Sequence, residues 1–275
     1  MASHSLLEGK KGLIFGALDE SSIAWKVAEQ CHAEGATLVL TNAPVALRMG
    51  KIQQLGKQLN ALVVPADVTR PEDIEALFQQ TLEHLGGPID FMLHSIGMSP
   101  NVRKKRPYYH LNYDWLYKTL DISAVSLHRV LQQAWHMDAL AEGASVVALS
   151  YIAAQRTFPS YNDMAEAKAL LESIVRSFGY HYGKRKGVRV NAVSQSPTPT
   201  TAGTGVPGFD TFLAFAEKNS PLGNASAEEC ARFCVMLFSD YAAKVTMQTL
   251  FHDGGFSMVG ISEDIMQLFS EAYNH

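Results

Sequence analysis

The chain is short of several things, and each shortage closes a class of function. Only 3 of its 275 residues are cysteine. Cys31, Cys230 and Cys234 are too few and too scattered for a disulfide framework or a zinc site. Cys230 and Cys234 stand one helical turn apart, and all three thiols are expected in the core. No apolar run reaches the ~18 residues that a membrane-spanning helix needs, so no membrane partner is expected. Charge of one sign is scarce too. Lys and Arg total 23 against 27 Asp and Glu, a formal net charge of −4. That balance gives no reason to expect a nucleic-acid partner. Met1 to Gly9 carries no apolar signal segment, and a reduced, cytoplasmic compartment is the expectation.

What is present is a rhythm. Hydrophobic residues make up 47% of the chain, and short apolar runs alternate with helix-patterned segments. Strands are expected at residues 12–16, 37–41, 61–65, 89–94, 144–150, 188–193 and 246–252. Helices are expected at 22–34, 46–59, from Pro71 onward, 113–139 with a break near Asp121, 161–182 and 227–239. Near-continuously apolar strands separated by helices mean a parallel sheet covered on both faces. The fold class is therefore α/β: one doubly wound, Rossmann-type domain over 1–275, with a parallel sheet of about seven strands. Two stretches break the rhythm and read as long loops, 95–112 and 194–219. Both follow strands directly, where open parallel sheets place their ligands.

Within the last long helix, Tyr161 and Lys168 stand seven residues apart. At 3.6 residues per turn that spacing puts both side chains on one helix face. An ammonium beside a phenol lowers the phenol's pKa and can also bind a diol. Such a pair suits an oxidoreductase that moves hydride to or from a carbonyl-conjugated substrate. Tyrosine four residues before the lysine is the commoner arrangement, and Met164 occupies that place.

Other positions suggest a dinucleotide. Gly16, after the first strand, lacks the later glycines of the three-glycine fingerprint; Ser22 and Lys26 stand there instead. The turn still sets backbone N–H groups, Ser22 and Ile23 at a helix N-terminus, where a pyrophosphate is stabilised. Asp67 and Val68 follow the third strand. The carboxylate reads either as an acceptor for an adenine amino group, with the valine against the ring, or as a turn residue. Ser95, Ile96 and Gly97 follow the fourth strand and are small enough for a nucleotide to approach, while His94 reads as a core residue. The second strand ends in Thr41-Asn42-Ala43-Pro44, with neither an acid for a ribose diol nor an arginine for a 2′-phosphate. Arg48 and Lys51 read as solvated helix charges.

Taken in order, these pieces resemble the short-chain dehydrogenase/reductase superfamily, in the divergent branch of bacterial enoyl-acyl-carrier-protein reductases. The ordered set also includes Asp121-Ile122-Ser123, Leu149-Ser150-Tyr151, Val188-Arg189-Val190-Asn191-Ala192 and Asp253-Gly254-Gly255-Phe256-Ser257. The resemblance spans about residues 7–257. It implies that Tyr161 hydrogen-bonds a thioester carbonyl, that Lys168 holds the nicotinamide ribose, and that Tyr151 is a second active-site tyrosine. Gly16, Ser22, Ile23, Asp67, Val68, Ser95, Ile96 and Gly97 fall at cofactor-contacting positions. Ser99 falls at a substrate-side backbone contact. Thr198, Thr200 and Ala202 belong to a segment, about 198–219, that covers the nicotinamide and pyrophosphate. Gln195-Ser196-Pro197 departs from the Ala-Gly-Pro of many relatives. The implied cofactor is NADH, with NADPH left open, and the implied assembly is a homotetramer.

The implied reaction reduces the α,β double bond of an enoyl thioester carried on acyl carrier protein. Negative charge develops on the thioester oxygen, where a phenol donor stabilises it. Val206, Phe209, Phe212, Leu213 and Phe215 read either as an apolar wall for the acyl chain or as a core-facing helix. Gly203, Gly205 and Gly208 before them suit a lid. Arg103-Lys104-Lys105-Arg106 reads either as a solvated loop or as a patch that attracts an acidic carrier protein. A carbonyl or alcohol dehydrogenase is the second enzyme reading, with Met164 against it. A non-catalytic cofactor-sensing scaffold is the third, with Tyr151, Tyr161 and Lys168 against it.

Overall fold

Successive strand residues in this chain enter two different apolar layers, and that alternation builds the architecture. The computed structural model describes residues 5–201 and 203–273. Strands β1 (Lys11–Phe15), β2 (Thr37–Asn42), β3 (Leu62–Pro65), β4 (Ile89–His94), β5 (Leu140–Ser150), β6 (Arg189–Gln195) and β7 (Thr249–His252) form one sheet. Its order is β3-β2-β1-β4-β5-β6-β7, and every pairing is parallel. The helices are α1 (Ile23–Ala33), α2 (Pro44–Met49), α3 (Ile52–Gln58), α4 (Pro71–Leu85), α5 (Pro100–Arg103) and α6 (Tyr113–Leu120). They continue with α7 (Ser126–His136), α8 (Asp163–Lys186), α9 (Phe209–Asn219), α10 (Ala227–Phe238) and α11 (Glu263–Tyr273).

Leu13, Phe15, Met92, Val146 and Ala148 point to one face, where they meet Phe78 of α4, Leu127 of α7 and Leu171 of α8. Ile14, Phe91, Leu93, Val147 and Leu149 point to the other, against Trp25 and Cys31 of α1 and Cys234 of α10. All three cysteines are free and buried, as expected. Cutting Phe78 or Trp25 back to alanine would cost about 3–5 kcal/mol, through lost burial and the cavity left behind. Sequence order reverses between β1 and β4, and the crevice that ligands use in such sheets opens there.

Several boundaries differ from expectation, each for a local reason. The helix expected over 46–59 is two helices. Gly50 between them is extended (φ −105°, ψ −174°), and Lys51 N donates to Leu18 O at 2.7 Å. Lys51 is thus drawn to the loop after β1, where it pairs with Glu20 at 2.9 Å instead of being a free helix charge. The expected break near Asp121 is a π-type turn over Asp121–Val125. It brings the Ser123 hydroxyl to Met98 N at 3.0 Å, in the loop after β4. The helix then stops at His136, and β5 starts at Leu140, earlier than expected. Strand β7 is shorter than expected, Thr249–His252. The stretch 194–219, read as a loop, contains α9, and α11 was not foreseen. Helix α8 begins at Asp163, so Tyr161 lies in the turn before it and not on the helix.

Candidate active site

The carboxyl ends of β1, β4, β5 and β6 open into a cleft of about 1380 Å³. Gly16 makes its middle possible. It sits at φ +97°, and a Cβ there would stand 1.9 Å from the carbonyl oxygen of Ser95. Only glycine lets the ends of β1 and β4 approach this closely. Ser22, Ile23, Ser95, Ile96 and Gly97 line the same part of the cleft. The Ser22 hydroxyl folds its own loop: it accepts from Leu18 N at 3.1 Å and Asp19 N at 3.3 Å, and donates to Asp19 O at 2.5 Å. It does not cap α1, which therefore meets the cleft with no side chain on its first amides. Uncapped amides at a helix N-terminus are an anion site.

One end of the cleft is formed by Asn42, Ala43, Val45 and Met49 with Asp67 and Val68. Asp67 makes a turn and also borders the cleft. Its Oδ1 accepts from Thr69 N at 2.9 Å and Thr69 Oγ1 at 2.7 Å. Thr198 and Thr200 also line the cleft, while Ala202 lies outside the described residues. The Thr201 hydroxyl donates to Asp19 Oδ2 at 2.8 Å, joining this segment to the loop after β1 across 182 positions of sequence.

At the far end stand Tyr151, Tyr161, Lys168 and Ser99. The rings of Tyr151 and Tyr161 are 4.9 Å apart. Phe158, 5.6 Å from Tyr151, and Phe212, 5.0 Å from Phe158, complete an aromatic wall. Val206, Phe209, Phe212 and Phe215 line the cleft as expected of an apolar wall. Leu213 does not; it faces a separate depression behind α9, with Pro199 and Glu217. Arg103 reaches the cleft rim. The Arg106 guanidinium lies 5.7 Å over the Trp115 ring, and its carbonyl accepts from Asn162 Nδ2 at 2.5 Å.

Lys168 is held by a strand end. The ammonium donates to Leu149 O at 2.7 Å, which ties it to the end of β5. Burial lowers its pKa to about 8, while the carboxylate of Glu172, one turn further along α8, pulls it back up. Burial pushes the Tyr161 phenol up, with no lowering by Lys168. Tyr151 is also raised, by burial first and then by Tyr161 and Asp253. Both phenols are hydrogen-bond donors at neutral pH, and the lysine is the group whose charge is adjustable. Met164, at the commoner tyrosine position, takes a hydrogen bond from Ser123 Oγ to its sulfur at 3.7 Å. His94 is a core residue as read: its Nε2 meets Ser126 Oγ at 2.9 Å, and burial takes its pKa down to about 3.

Sequence reasoning missed Glu172, Phe158 and the Asp19–Thr201 contact. Glu172 is 4% exposed and accepts from Ser150 Oγ at 2.7 Å and Gln155 Nε2 at 3.0 Å. Its i,i+4 spacing from Lys168 was the available signal. Among the described residues no cluster of His, Cys, Asp and Glu could hold a metal. No helix among them is long and apolar enough to cross a membrane.

A parallel sheet that reverses beside a glycine turn, with a lysine and two tyrosines at the far end of one cleft, is the framework of the short-chain dehydrogenase/reductase superfamily. Comparison with known proteins places the chain within it. A family model described as enoyl-(acyl carrier protein) reductase matches residues 16–257. The chain is similar to enoyl-(acyl-carrier-protein) reductase (NADH) 1 of Rhizobium meliloti, 35% identical over 93% of each chain. It is similar to the NADH enoyl-(acyl-carrier-protein) reductase FabI of Aquifex aeolicus, 34% identical over 98% of each. A crystal structure of the FabI–NADH complex from Alistipes finegoldii is 62% identical, with a TM-score of 0.95 over 96% of this chain and 93% of that one. The chain belongs to the enoyl-(acyl carrier protein) reductase family.

Proposed function

We propose that this protein reduces the α,β double bond of an enoyl thioester, delivered on acyl carrier protein during fatty-acid synthesis, using NADH. The observation that carries the proposal is the pair of tyrosine rings, 4.9 Å apart, in the cleft that also holds Lys168. NADH supplies, when bound, the hydride that adds to the β-carbon of the substrate. The residues present fit it. The uncapped N-terminus of α1 suits a pyrophosphate, Asp67 and Val68 suit an adenine, and Lys168 suits a ribose diol. Thr198 and Thr200 suit the phosphate side of the wall.

Tyr161 and Tyr151 donate to the thioester oxygen as negative charge develops there. Such donors act best in a cleft that excludes water, and the aromatic wall of Phe158 and Phe212 supplies that exclusion. Ser99 borders the substrate through its backbone. Residues 198–219 form the covering segment of a single domain spanning 1–275. The acyl chain runs along Phe209, Phe212 and Phe215. The protein works in the cytoplasm as a homotetramer, with the exposed tyrosines of α6 (Tyr113, Tyr117) and the Leu170 and Tyr180 side chains of α8 as packing surfaces.

Mixing the protein with crotonyl thioester and NADH, and following the loss of reduced-nicotinamide absorbance, tests the proposal. Turnover with the enoyl thioester but not with a 3-ketoacyl thioester is expected, faster with NADH than NADPH. Turnover of the ketoacyl substrate instead would favour the carbonyl dehydrogenase reading, against which Met164 stands.

A further inference from the structure

We infer that Asp163 is the positioning residue for Tyr161, acting through a buried hydrogen-bond hub that joins three segments of the chain around the site. The inference rests on the proposed role of Tyr161. Asp163 is fully buried at the first position of α8. Its Oδ1 accepts from Ser99 Oγ at 2.6 Å, and its Oδ2 accepts from Asn101 Nδ2 at 2.7 Å and, at 2.9 Å, shares the single Thr119 Oγ1 proton with Trp115 O, 2.8 Å from that hydroxyl. All three donors are neutral. None of the ion pairs among the described residues includes Asp163.

A carboxylate without a cation is costly to bury. A plain helix-start acid would interact with the helix dipole equally well at the surface. Burial here therefore serves the joining of parts. Ser99 and Asn101 belong to the segment after β4, Thr119 belongs to α6, and Asp163 begins α8. The donors are themselves held: Ser99 Oγ also accepts from Val102 N at 3.0 Å, and Asn101 Oδ1 accepts from Asn112 N at 3.0 Å.

The turn that presents Tyr161 depends on this anchor. Asn162, between Tyr161 and Asp163, has φ 44° and ψ −135°, a strained backbone for a residue with a side chain. Such a conformation persists only where its surroundings enforce it. The hub holds one side of the turn, and the Asn162 amide, donating to the Arg106 carbonyl at 2.5 Å, holds the other. No hydrogen-bond partner among the described residues aims the Tyr161 phenol. The backbone turn and packing, including that on Tyr151, set its direction. Ser99, at the cleft wall, is fixed by the same carboxylate.

Asp163→Asn keeps the shape but replaces one acceptor oxygen with an N–H donor, so either Ser99 Oγ or Asn101 Nδ2 loses its acceptor. With crotonyl thioester and NADH, kcat is expected to fall roughly tenfold or more, because a small misplacement of a reacting group is costly. The NADH dissociation constant, read by cofactor fluorescence, is expected to stay within about twofold. In a Tyr161→Phe background the same substitution is expected to remove almost nothing further, because both changes act through the same phenol donor. Thr119→Val, which deletes a single donor, is expected to show the same non-additivity on a smaller scale, and covers the case in which Asp163→Asn does not fold. Losses that multiply in the double variants, or an unchanged kcat, would overturn the inference. If Tyr161→Phe alone turns over at the parent rate, the proposed role of Tyr161 fails first and the inference goes with it.

Discussion

The rings of Tyr151 and Tyr161 lie 4.9 Å apart, inclined at 49°, at the same end of one cleft. Burial raises both phenols above their ordinary value, so both keep their protons at neutral pH. Two neutral donors side by side can both serve one developing oxyanion. Removing one such donor typically lowers kcat by about 10²–10³. Tyr161→Phe is expected to show a loss of that size with unchanged NADH binding. Tyr151→Phe is expected to lose less, because its ring also packs on Phe158 and Phe212 and keeps those contacts. Steady-state kcat beside a cofactor dissociation constant checks both, and a Tyr161→Phe variant as fast as the parent enzyme contradicts the assignment.

Lys168 makes the site sensitive to pH. Burial depresses its pKa to about 8, and Glu172 opposes that shift. The ammonium proposed to bind the cofactor is therefore present well below that value and lost as pH rises through it. The kcat/KM profile, which reports the free enzyme, is expected to fall on its alkaline side near pH 8. Glu172→Gln removes the charge that raises the lysine, so the alkaline limb is expected to move to lower pH. A limb that stays in place, or moves upward, rules out Glu172 as the group that holds the charge on Lys168.

Much of this fold was legible because its strands are buried on both faces and read as unbroken apolar runs. Leu13, Ile14 and Phe15 illustrate this: consecutive residues supply opposite layers. The candidate site was legible where residues follow strand ends, as Gly16, Asp67, Ser95 and Tyr151 do. Legibility failed where geometry depends on partners far away in sequence. Tyr161 and Lys168 were placed on one helix by their spacing, yet the strained Asn162 takes Tyr161 off it. The lysine's partner is a backbone carbonyl, Leu149 O, which no side-chain pattern records. Helix α9 follows glycines and prolines that read as loop, and its aromatics fit an apolar wall as well as a core-facing helix.

Among the contacts of the segment 198–219, one ties it to the loop after β1. Thr201 Oγ1 donates to Asp19 Oδ2 at 2.8 Å, and Asp19 Oδ1 is already taken by Ser21 N at 3.0 Å and Ser21 Oγ at 2.6 Å. The contact bridges the two walls between which the pyrophosphate is proposed to lie. Deleting a single exposed hydrogen bond costs about 0.5–1.5 kcal/mol, or roughly two- to tenfold in an equilibrium constant. Thr201→Val is expected to raise the NADH dissociation constant by a factor in that range while kcat at saturating NADH is kept. An unchanged dissociation constant would mean that the segment closes without this contact.

The basic loop offers a test of the carrier protein as partner. Lys104 and Lys105 are exposed and beside Arg103, which reaches the rim of the cleft. In a protein of net charge −4 they form a local positive patch next in sequence to a residue of the cleft. An acidic carrier would be drawn to it, mainly as a faster encounter that salt weakens. Arg106 must be left intact, because its guanidinium packs over Trp115 and its carbonyl holds Asn162 next to Tyr161. Replacing Lys104 and Lys105 together with glutamine is expected to raise KM for carrier-bound enoyl substrate a few-fold at low salt. KM for a small crotonyl thioester should not move, and the difference between the two substrates should close as salt is raised. If both values of KM rise together, the lysines shape the cleft and do not meet the carrier.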